Sequence, residues 1–166
     1  MTEQAELLEQ ARRLVDIEAI KTLKYRYFRF MTHRDYDSLE QLLTEDVETS
    51  YSDGKYAFDD RAKLIDFLRD SMQESEGNIV FWMAGMPEIE ITSETTATGV
   101  WAFFHYHFMS KTKQVNELLA YYSDEYRKVD GEWRIHRTGY SPVIDRFIPR
   151  DQVPYEIVAP DSAVGL

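Results

Sequence analysis

The sequence predicts an α+β fold in which N-terminal helices pack on a strongly curved antiparallel sheet. Apolar residues recur at steps of three and four in three N-terminal segments, as they do in helices, and alternate with a period of two in four long C-terminal segments, as they do in strands. The predicted strands are joined by connections too short for crossovers, so we expect an antiparallel meander. A length of 166 residues fits one domain, which we place at residues 1–166.

The first predicted helix is the longest of the three. Its apolar stripe comprises Ile17, Ile20, Leu23, Tyr27, Phe30 and Met31. Asp16 is the candidate N-cap of this helix, and residues 1–15 are expected to extend it or to form a separate helical arm. Asp37 and Glu40 have the spacing of a capping box, which predicts a short second helix that begins at Asp37.

A third helix and the strands follow from turn signals and alternation. Asp59 or Asp60 caps a helix whose buried stripe comprises Leu64, Ile65, Phe67 and Leu68. The turn Asp53-Gly54 predicts a hairpin between strands 47–51 and 56–58. The longer strands are predicted at residues 79–91, 95–109, 114–129 and 132–140, the last after the turn Asp130-Gly131.

The end of the chain is rich in proline, which disfavours regular structure. Four of the five prolines lie at or after residue 142, and this concentration predicts an irregular tail at residues 142–166. We expect this tail to lie over a core formed by residues 16–141. Its apolar residues Phe147, Ile148 and Tyr155 are candidates for closing a pocket over a bound ligand.

Composition excludes several classes of function. The 30 acidic residues outnumber the 19 basic ones, and a net charge of −11 disfavours nucleic acid and anionic membrane as partners. The chain has no cysteine, which excludes disulfides, thiolate metal sites and cysteine nucleophiles. The charged N-terminal segment has no apolar core of a signal peptide, so we expect a cytoplasmic location.

Aromatic residues are abundant, and their alternation in the strand at 95–109 predicts where they point. One face of this strand carries Trp101, Phe103, His105 and His107. The opposite face is also apolar, with Val100, Ala102, Phe104, Tyr106 and Phe108. A sheet that is apolar on both faces needs both covered, so we expect a cavity under the helices on one side and another subunit on the other. This pattern favours a homodimer or homotrimer.

The other two strands of the meander extend the predicted inner face. Leu118 and Tyr122 share one face with the small Ala120 between them. In the last strand His136 and Tyr140 share a face by the same alternation, together with Thr138. The polar groups expected inside the fold are therefore histidine imidazoles, one threonine and several tyrosine hydroxyls.

Several short segments together resemble the SnoaL-like branch of the NTF2-like (cystatin-like) superfamily. They are DIEAIKTLKYRYFRF, TSYSDGK, MPEIEI, TATGVW, DEYRKVDGEWRI and TGY. The resemblance covers residues 16–142 and is nearest to the bile-acid 7α-dehydratase and scytalone dehydratase branches. It implies a conical α+β barrel, a site inside the cone that needs no cofactor, and dimers or trimers packed through the outer sheet face. The superfamily also includes isomerases, hydrolases, carbon-carbon lyases and proteins without catalytic activity.

The resemblance assigns roles to individual positions. Tyr27 and Tyr51 match pocket tyrosines, and His107 matches a catalytic histidine of scytalone dehydratase. The aspartate and histidine of the dyad used by these enzymes fall at Thr32 and Trp82 in this sequence. The resemblance therefore implies a related pocket with a changed set of acid-base groups.

Histidine and tyrosine supply the predicted chemistry. His107 and His105 are the candidate acid-base residues, because imidazole exchanges protons near neutral pH, although both could equally be hydrogen-bonded core residues. Tyr51 and Tyr27 are candidates for polarising a substrate oxygen, since a buried phenol donates a directed hydrogen bond. The candidate substrate-binding residues are Trp82, Trp101, Phe103, Tyr122, Tyr140 and Thr32. The H-x-H spacing lacks a third ligand, so we expect no metal.

These observations favour a lyase that acts without a cofactor on a hydrophobic, aromatic or polycyclic small molecule. The reaction is either elimination of water or a retro-aldol cleavage, both driven by general acid-base catalysis. Two alternatives stay open: a non-catalytic protein that binds an aromatic ligand, and an isomerase or cyclase of secondary metabolism. A catalytic histidine with the ordinary pKa predicts a limb of the rate profile at about pH 6 to 7.

Overall fold

The fold combines three helices with six strands. A computed structural model describes residues 2–73 and 79–154. The helices are α1 (Glu3–His33), α2 (Tyr36–Glu40) and α3 (Arg61–Gln73). The strands are β1 (Leu43–Tyr51), β2 (Tyr56–Phe58), β3 (Ile79–Ile91), β4 (Thr96–Met109), β5 (Gln114–Val129) and β6 (Glu132–Pro149). A single 3₁₀ turn, Arg150–Gln152, follows β6. In the part of the chain that the structure describes, no helix is long and apolar enough to cross a bilayer.

The strands form one sheet in the order β2-β1-β6-β5-β4-β3. The predicted meander from β3 to β6 is confirmed, as is the antiparallel β1–β2 hairpin. The expectation of a purely antiparallel sheet is wrong, because β1 pairs with β6 in parallel. A parallel pair needs a long crossover, which the chain between β1 and β6 supplies. The sheet is curved but remains open between its edges β2 and β3, so it is not a closed barrel.

Helix α3 begins as predicted, with Asp60 accepting a hydrogen bond from the Lys63 N–H, whereas α1 and α2 begin earlier in the chain than predicted. Helix α1 runs without interruption from Glu3 and is capped by Thr2. Residues 3–15 therefore extend the helix and are not a separate arm, and Asp16 is not its N-cap. Asp16 instead accepts hydrogen bonds from Trp133 Nε1 and Lys128 Nζ at 2.7 and 2.8 Å. Helix α2 is capped by Asp35, not by Asp37. An acidic residue with tertiary partners resembles a cap in sequence, and only the contacts distinguish the two.

Strand β6 is longer than predicted. The irregular tail expected from residue 142 is wrong up to Pro149, since this segment pairs with β5 as far as Gln114. Pro142 fits because the register shifts beside it and because β1 pairs with β6 only up to Tyr140, which leaves this part of β6 at an edge. Proline is tolerated at edges and bulges, where its missing N–H breaks no ladder bond.

A bulge at His136 changes which side of β6 faces the core. Ile135 pairs with Tyr126 and Arg137 with Glu125, so that His136 has no partner residue on β5. Trp133 and Ile135 are buried before the bulge, and Thr138 is buried after it. The predicted common face of His136, Thr138 and Tyr140 is therefore wrong, because an inserted residue reverses the alternation.

Gly139 allows β1 and β6 to approach closely. A Cβ atom at this position would overlap the backbone carbonyl of Ser50, which belongs to the parallel partner strand and has no freedom to rotate away. We expect Gly139→Ala to lower the free energy of unfolding by about 1–3 kcal/mol through overpacking. Urea denaturation measures this change. Gly85→Ala, where a Cβ meets nothing within 4 Å, is the matched control in the same sheet; equal effects of the two substitutions would contradict the prediction.

Candidate active site

A cavity of about 310 Å³ lies between the concave face of the sheet and helices α1 and α3. Residues from both of these helices and from strands β3 to β6 form most of its lining. Strands β1 and β2 contribute one tyrosine each. The lining residues are Tyr27, Met31, Tyr51, Tyr56, Phe67, Leu68, Ser71, Trp82, Phe103, His105, His107, Met109, Asn116, Leu118, Tyr122, Tyr140 and Phe147. Aromatic rings thus dominate a pocket whose polar groups are few, as in sites for small hydrophobic ligands.

His105 and His107 lie side by side on β4, with ring centroids 5.6 Å apart, and both face the cavity. Trp82, the partner of His105 on β3, stacks on the His105 ring at 5.3 Å and an interplanar angle of 17°. His105 Nε2 is buried and has no hydrogen-bond partner among the described residues. A ligand is the group that would satisfy this nitrogen.

The environment holds both histidines neutral. Burial lowers the pKa of His105 to about 3, with a further contribution from neighbouring His107. Burial also lowers the pKa of His107 to about 4, assisted by the positive charge of Arg34. The expected fall in reaction rate at about pH 6 to 7 was based on the ordinary pKa of histidine. The lowered pKa values move this fall to more acidic pH.

A pair of tyrosines provides the hydroxyl groups of the site. Tyr27, on α1, and Tyr51, at the end of β1, share a hydrogen bond of 2.9 Å between their buried hydroxyl oxygens. Burial raises the pKa of both phenols, so both stay protonated at neutral pH. Either hydroxyl can be the donor within the pair, and the Tyr27 hydroxyl also interacts with Tyr122.

Two further tyrosines connect this pair to the aromatic wall. Register across the sheet places Tyr122 beside Tyr140 and Tyr140 beside Tyr51, and the Tyr51 and Tyr140 rings stack at 5.6 Å. Phe103 contacts both Tyr122 and Tyr140, at centroid distances of 4.9 and 5.6 Å. Ala120 is the β5 partner of Phe103, and its small side chain leaves space for these ring contacts. The result is a continuous aromatic surface on the sheet side of the cavity.

Eight of the ten predicted site residues meet at this cavity. Trp101 is not brought to it: the side chain is completely buried, and its Nε1 donates to the Tyr126 hydroxyl at 2.9 Å. Thr32 donates its hydroxyl to the Phe28 carbonyl and lies in a separate surface pocket on the other side of Trp82.

The structure also locates the remaining candidates. His136 bonds to Thr44 and Arg127 outside the cavity. Phe147 lines the cavity as expected, whereas Ile148 does not belong to the lining, and Tyr155 lies outside the described residues.

Sequence reasoning missed some of the residues that form or support the site. Asn116 lines the cavity next to His107 and donates to the Asp145 carboxylate at 2.7 Å. Lys24, which a helix-surface interpretation directs to solvent, is 0% exposed and pairs with Asp124. Its position four residues after Ile20 and three before Tyr27 places it on the buried stripe of α1, and this periodicity was the available signal.

Within the described ranges, no group of three or more His, Asp or Glu side chains has the arrangement of a metal site. The polar chemistry available at the cavity thus consists of imidazole, phenol, amide and hydroxyl groups. Such groups transfer protons and donate hydrogen bonds.

Solved structures with the same fold come from several named proteins. One is a proposed scytalone dehydratase from Novosphingobium aromaticivorans, 21% identical over 90% of this chain and 94% of the other, with a TM-score of 0.76. Another is a hexachlorocyclohexane dehydrochlorinase, LinA type 2, 15% identical over 92% and 99% of the two chains, with a TM-score of 0.79. A third is an NTF2-like protein with a cystatin-like fold from N. aromaticivorans, 21% identical over 86% and 92%, with a TM-score of 0.69.

These similarities establish the NTF2-like fold, and at such identities they establish the fold alone. The family comparison is more specific. The SnoaL-like domain matches residues 12–139, which include most of α1, the histidines of β4 and most of the cavity residues. The chain therefore belongs to the SnoaL-like domain family.

Proposed function

We propose that this protein is a lyase that eliminates water from a hydrophobic, oxygenated aromatic or polycyclic molecule without a cofactor. The observation that carries this proposal is the meeting of an unpartnered imidazole nitrogen, that of His105, with the Tyr27–Tyr51 hydroxyl pair in one aromatic cavity. Two structural neighbours carry the names of elimination enzymes, a proposed scytalone dehydratase and a hexachlorocyclohexane dehydrochlorinase, and these names are consistent with the proposal.

The low pKa of the histidines restricts the substrate. A weakly basic imidazole removes a proton only from an acidic C–H group, such as one next to a carbonyl. The electron pair moves into the carbonyl as an enolate, whose oxygen accepts a hydrogen bond from Tyr27 or Tyr51. The enolate then forms the new double bond and expels hydroxide, which takes the proton from the imidazolium and leaves as water. Because the pKa of the histidine is low, its imidazolium form is acidic and donates this proton effectively.

The probe that tests this reaction is a bicyclic compound in which one six-membered β-hydroxyketone ring is fused to a benzene ring. Its dehydration gives a naphthol, which mass spectrometry detects as the loss of one water. We expect formation of the naphthol by the wild-type protein and a large loss with His105→Gln, which removes the unpartnered nitrogen, and with His107→Gln. A product of unchanged mass with altered retention would indicate either isomerisation or retro-aldol opening of the ring to a keto aldehyde, and either would contradict the elimination.

A non-catalytic ligand carrier is the second candidate. The observation that favours it is the replacement of the dyad positions by Thr32, whose hydroxyl is bonded to the helix backbone, and by the indole of Trp82. Binding of the β-hydroxyketone by calorimetry without formation of any product would support this alternative and contradict the lyase.

We also propose that the outer sheet face joins copies of this chain as a homodimer or homotrimer. Met83, Phe104, Leu119 and Ile144 follow one another across four strands, and Phe81 and Tyr121 beside them are 53% and 54% exposed. A contiguous apolar surface of this kind is typical of subunit interfaces.

Sedimentation velocity tests this interface. We expect Leu119→Glu to convert the oligomer into a monomer, because a carboxylate in the middle of an apolar interface is desolvated without a partner. Leu14→Glu, at an exposed position on α1 away from the outer sheet face, is the control and should leave the sedimentation coefficient of the oligomer unchanged. A wild-type protein that sediments as a monomer would refute the proposal.

A further inference from the structure

A charged pair is buried directly beneath the tyrosine side of the cavity. Lys24 Nζ lies 2.7 Å from Asp124 Oδ2, and both side chains have no exposed surface. Lys24 is the only lysine or arginine that is buried among the described residues. Because burying charges carries a large desolvation cost, such a pair requires an explanation in terms of structure or function.

The groups around Asp124 orient the pair. The carboxylate accepts hydrogen bonds from the hydroxyls of Thr138 and Tyr126, each at 2.7 Å, in addition to its contact with Lys24. Tyr126 in turn accepts from Trp101 Nε1. The negative end of the pair thus has hydroxyl donors from β5 and β6, and neither donor residue lines the cavity.

The positive end faces the aromatic rings of the cavity. Lys24 Nζ lies 3.9 Å from the ring centroid of Tyr122 and 4.9 Å from that of Tyr27. Both rings line the cavity, and the hydroxyl of Tyr27 is bonded to that of Tyr51. The ammonium group therefore lies against the faces of two rings that line the cavity, whereas Asp124 is not among the lining residues, so the positive end of the pair is the end nearer to the cavity.

We propose that Lys24 is a positioning residue that makes this cavity selective for ligands whose oxygen is bound as an anion, such as a phenolate or an enolate. The ligand oxygen accepts hydrogen bonds from the tyrosine hydroxyls, and the ammonium group stabilises its negative charge through the intervening rings. The inference rests on the cavity proposed above as the ligand site, and it does not require that the ligand be converted to a product.

The protonation states of the cavity groups agree with this arrangement. Burial, together with the charge of Asp124, raises the pKa of Tyr27, Tyr51 and Tyr122, which keeps these phenols protonated as donors when an anionic oxygen binds. The negative charge therefore resides on the ligand and not on the protein. Burial lowers the pKa of Lys24 below its ordinary value, and the adjacent carboxylate of Asp124 offsets only part of this effect.

Para-nitrophenol tests the inference, because only its phenolate absorbs visible light and its free pKa lies near neutrality. We expect the probe to bind to the wild-type protein with a pKa below that of the free probe. In the double variant Lys24→Met/Asp124→Asn, which removes both charges and keeps one of the two oxygen acceptors used by Thr138 and Tyr126, we expect the phenolate-to-phenol ratio of the bound probe to fall about tenfold. Near-ultraviolet circular dichroism verifies that the variant is folded.

A second ion pair of this protein provides the matched control. Lys128 Nζ and Asp16 Oδ1 are 2.8 Å apart and lie outside the cavity, so Lys128→Met/Asp16→Asn should leave the pKa of the bound probe unchanged. A second measurement uses only the wild-type protein and compares its affinity for para-nitrophenol with its affinity for para-nitroanisole, which cannot ionise. At a pH above the pKa of para-nitrophenol, the anisole should bind about tenfold more weakly.

Three results would overturn the proposal. They are a wild-type protein that binds the probe only as neutral phenol or not at all, equal affinity for the phenolate and the anisole, and a folded Lys24→Met/Asp124→Asn variant with the wild-type pKa of the bound probe. Turnover enters none of these measurements, so a protein that binds phenolate but forms no product would refute the lyase and leave the role of Lys24 supported.

Discussion

Replacing Lys24 alone by Met is expected to lower the free energy of unfolding by about 3–5 kcal/mol. The substitution keeps most of the side-chain volume but leaves the buried Asp124 carboxylate without its cation. Asp124 would still accept hydrogen bonds from Thr138 and Tyr126, and these neutral donors do not replace a full charge at 2.7 Å. Urea denaturation at neutral pH measures the effect.

Two further variants separate the charge effect from a packing effect. Lys24→Met/Asp124→Asn should recover much of the lost stability, because it removes the unpaired charge together with its partner. Lys128→Met breaks the partly exposed pair with Asp16 and should destabilise the protein less than Lys24→Met, since water solvates the remaining carboxylate. A double variant as unstable as Lys24→Met alone would show that packing, and not charge, explains the loss.

His107→Gln is expected to reduce the rate of the proposed elimination by about 10²- to 10⁴-fold. Glutamine retains hydrogen-bonding atoms of similar reach but does not accept a proton from carbon. The reaction of the bicyclic β-hydroxyketone, followed by naphthol formation, measures this loss. His136→Gln is the matched control, because His136 bonds to Thr44 and Arg127 away from the cavity. Equal rates for the wild-type protein and His107→Gln would exclude His107 as the base.

The pH dependence of this rate follows from the direction of the histidine shifts. The neutral imidazole is the active form, and its pKa is lowered from 6.5 to about 4 for His107 and to about 3 for His105. The neutral form therefore persists below pH 6.5, and the rate should fall only as the pH drops through about 4. A limb at the ordinary histidine pKa would show that the reacting histidine is solvated in the presence of ligand.

Alternation along strands was the most informative signal in this sequence. It placed Phe103, His105 and His107 on one face of β4, and all three line the cavity. It was correct where the ladder is regular and wrong at His136, where a bulge inserts one residue. A bulge depends on how a strand pairs with its neighbours on both sides, and the sequence of one strand does not specify that pairing.

Local signals also located the turns but not all helix starts. The hairpin turn around Asp53-Gly54 and the turn at Asp130-Gly131 are present with backbone angles in the left-handed region, which glycine adopts without strain. In contrast, Asp16 has the residue type of a cap and serves instead as a partner of Lys128 and Trp133. Residue type alone does not distinguish a carboxylate that caps a helix from one that pairs across the fold.

The sequence by itself determined the family, the helix and strand content and the histidine and tyrosine chemistry of the cavity, because periodicity and side-chain type are local properties. Only the tertiary structure decided that Lys24 is buried, that Trp101 supports the core behind the site, and that the two histidines are held neutral. These three facts depend on desolvation and on the distances between charges from different elements. Both arise only when the helix closes over the sheet.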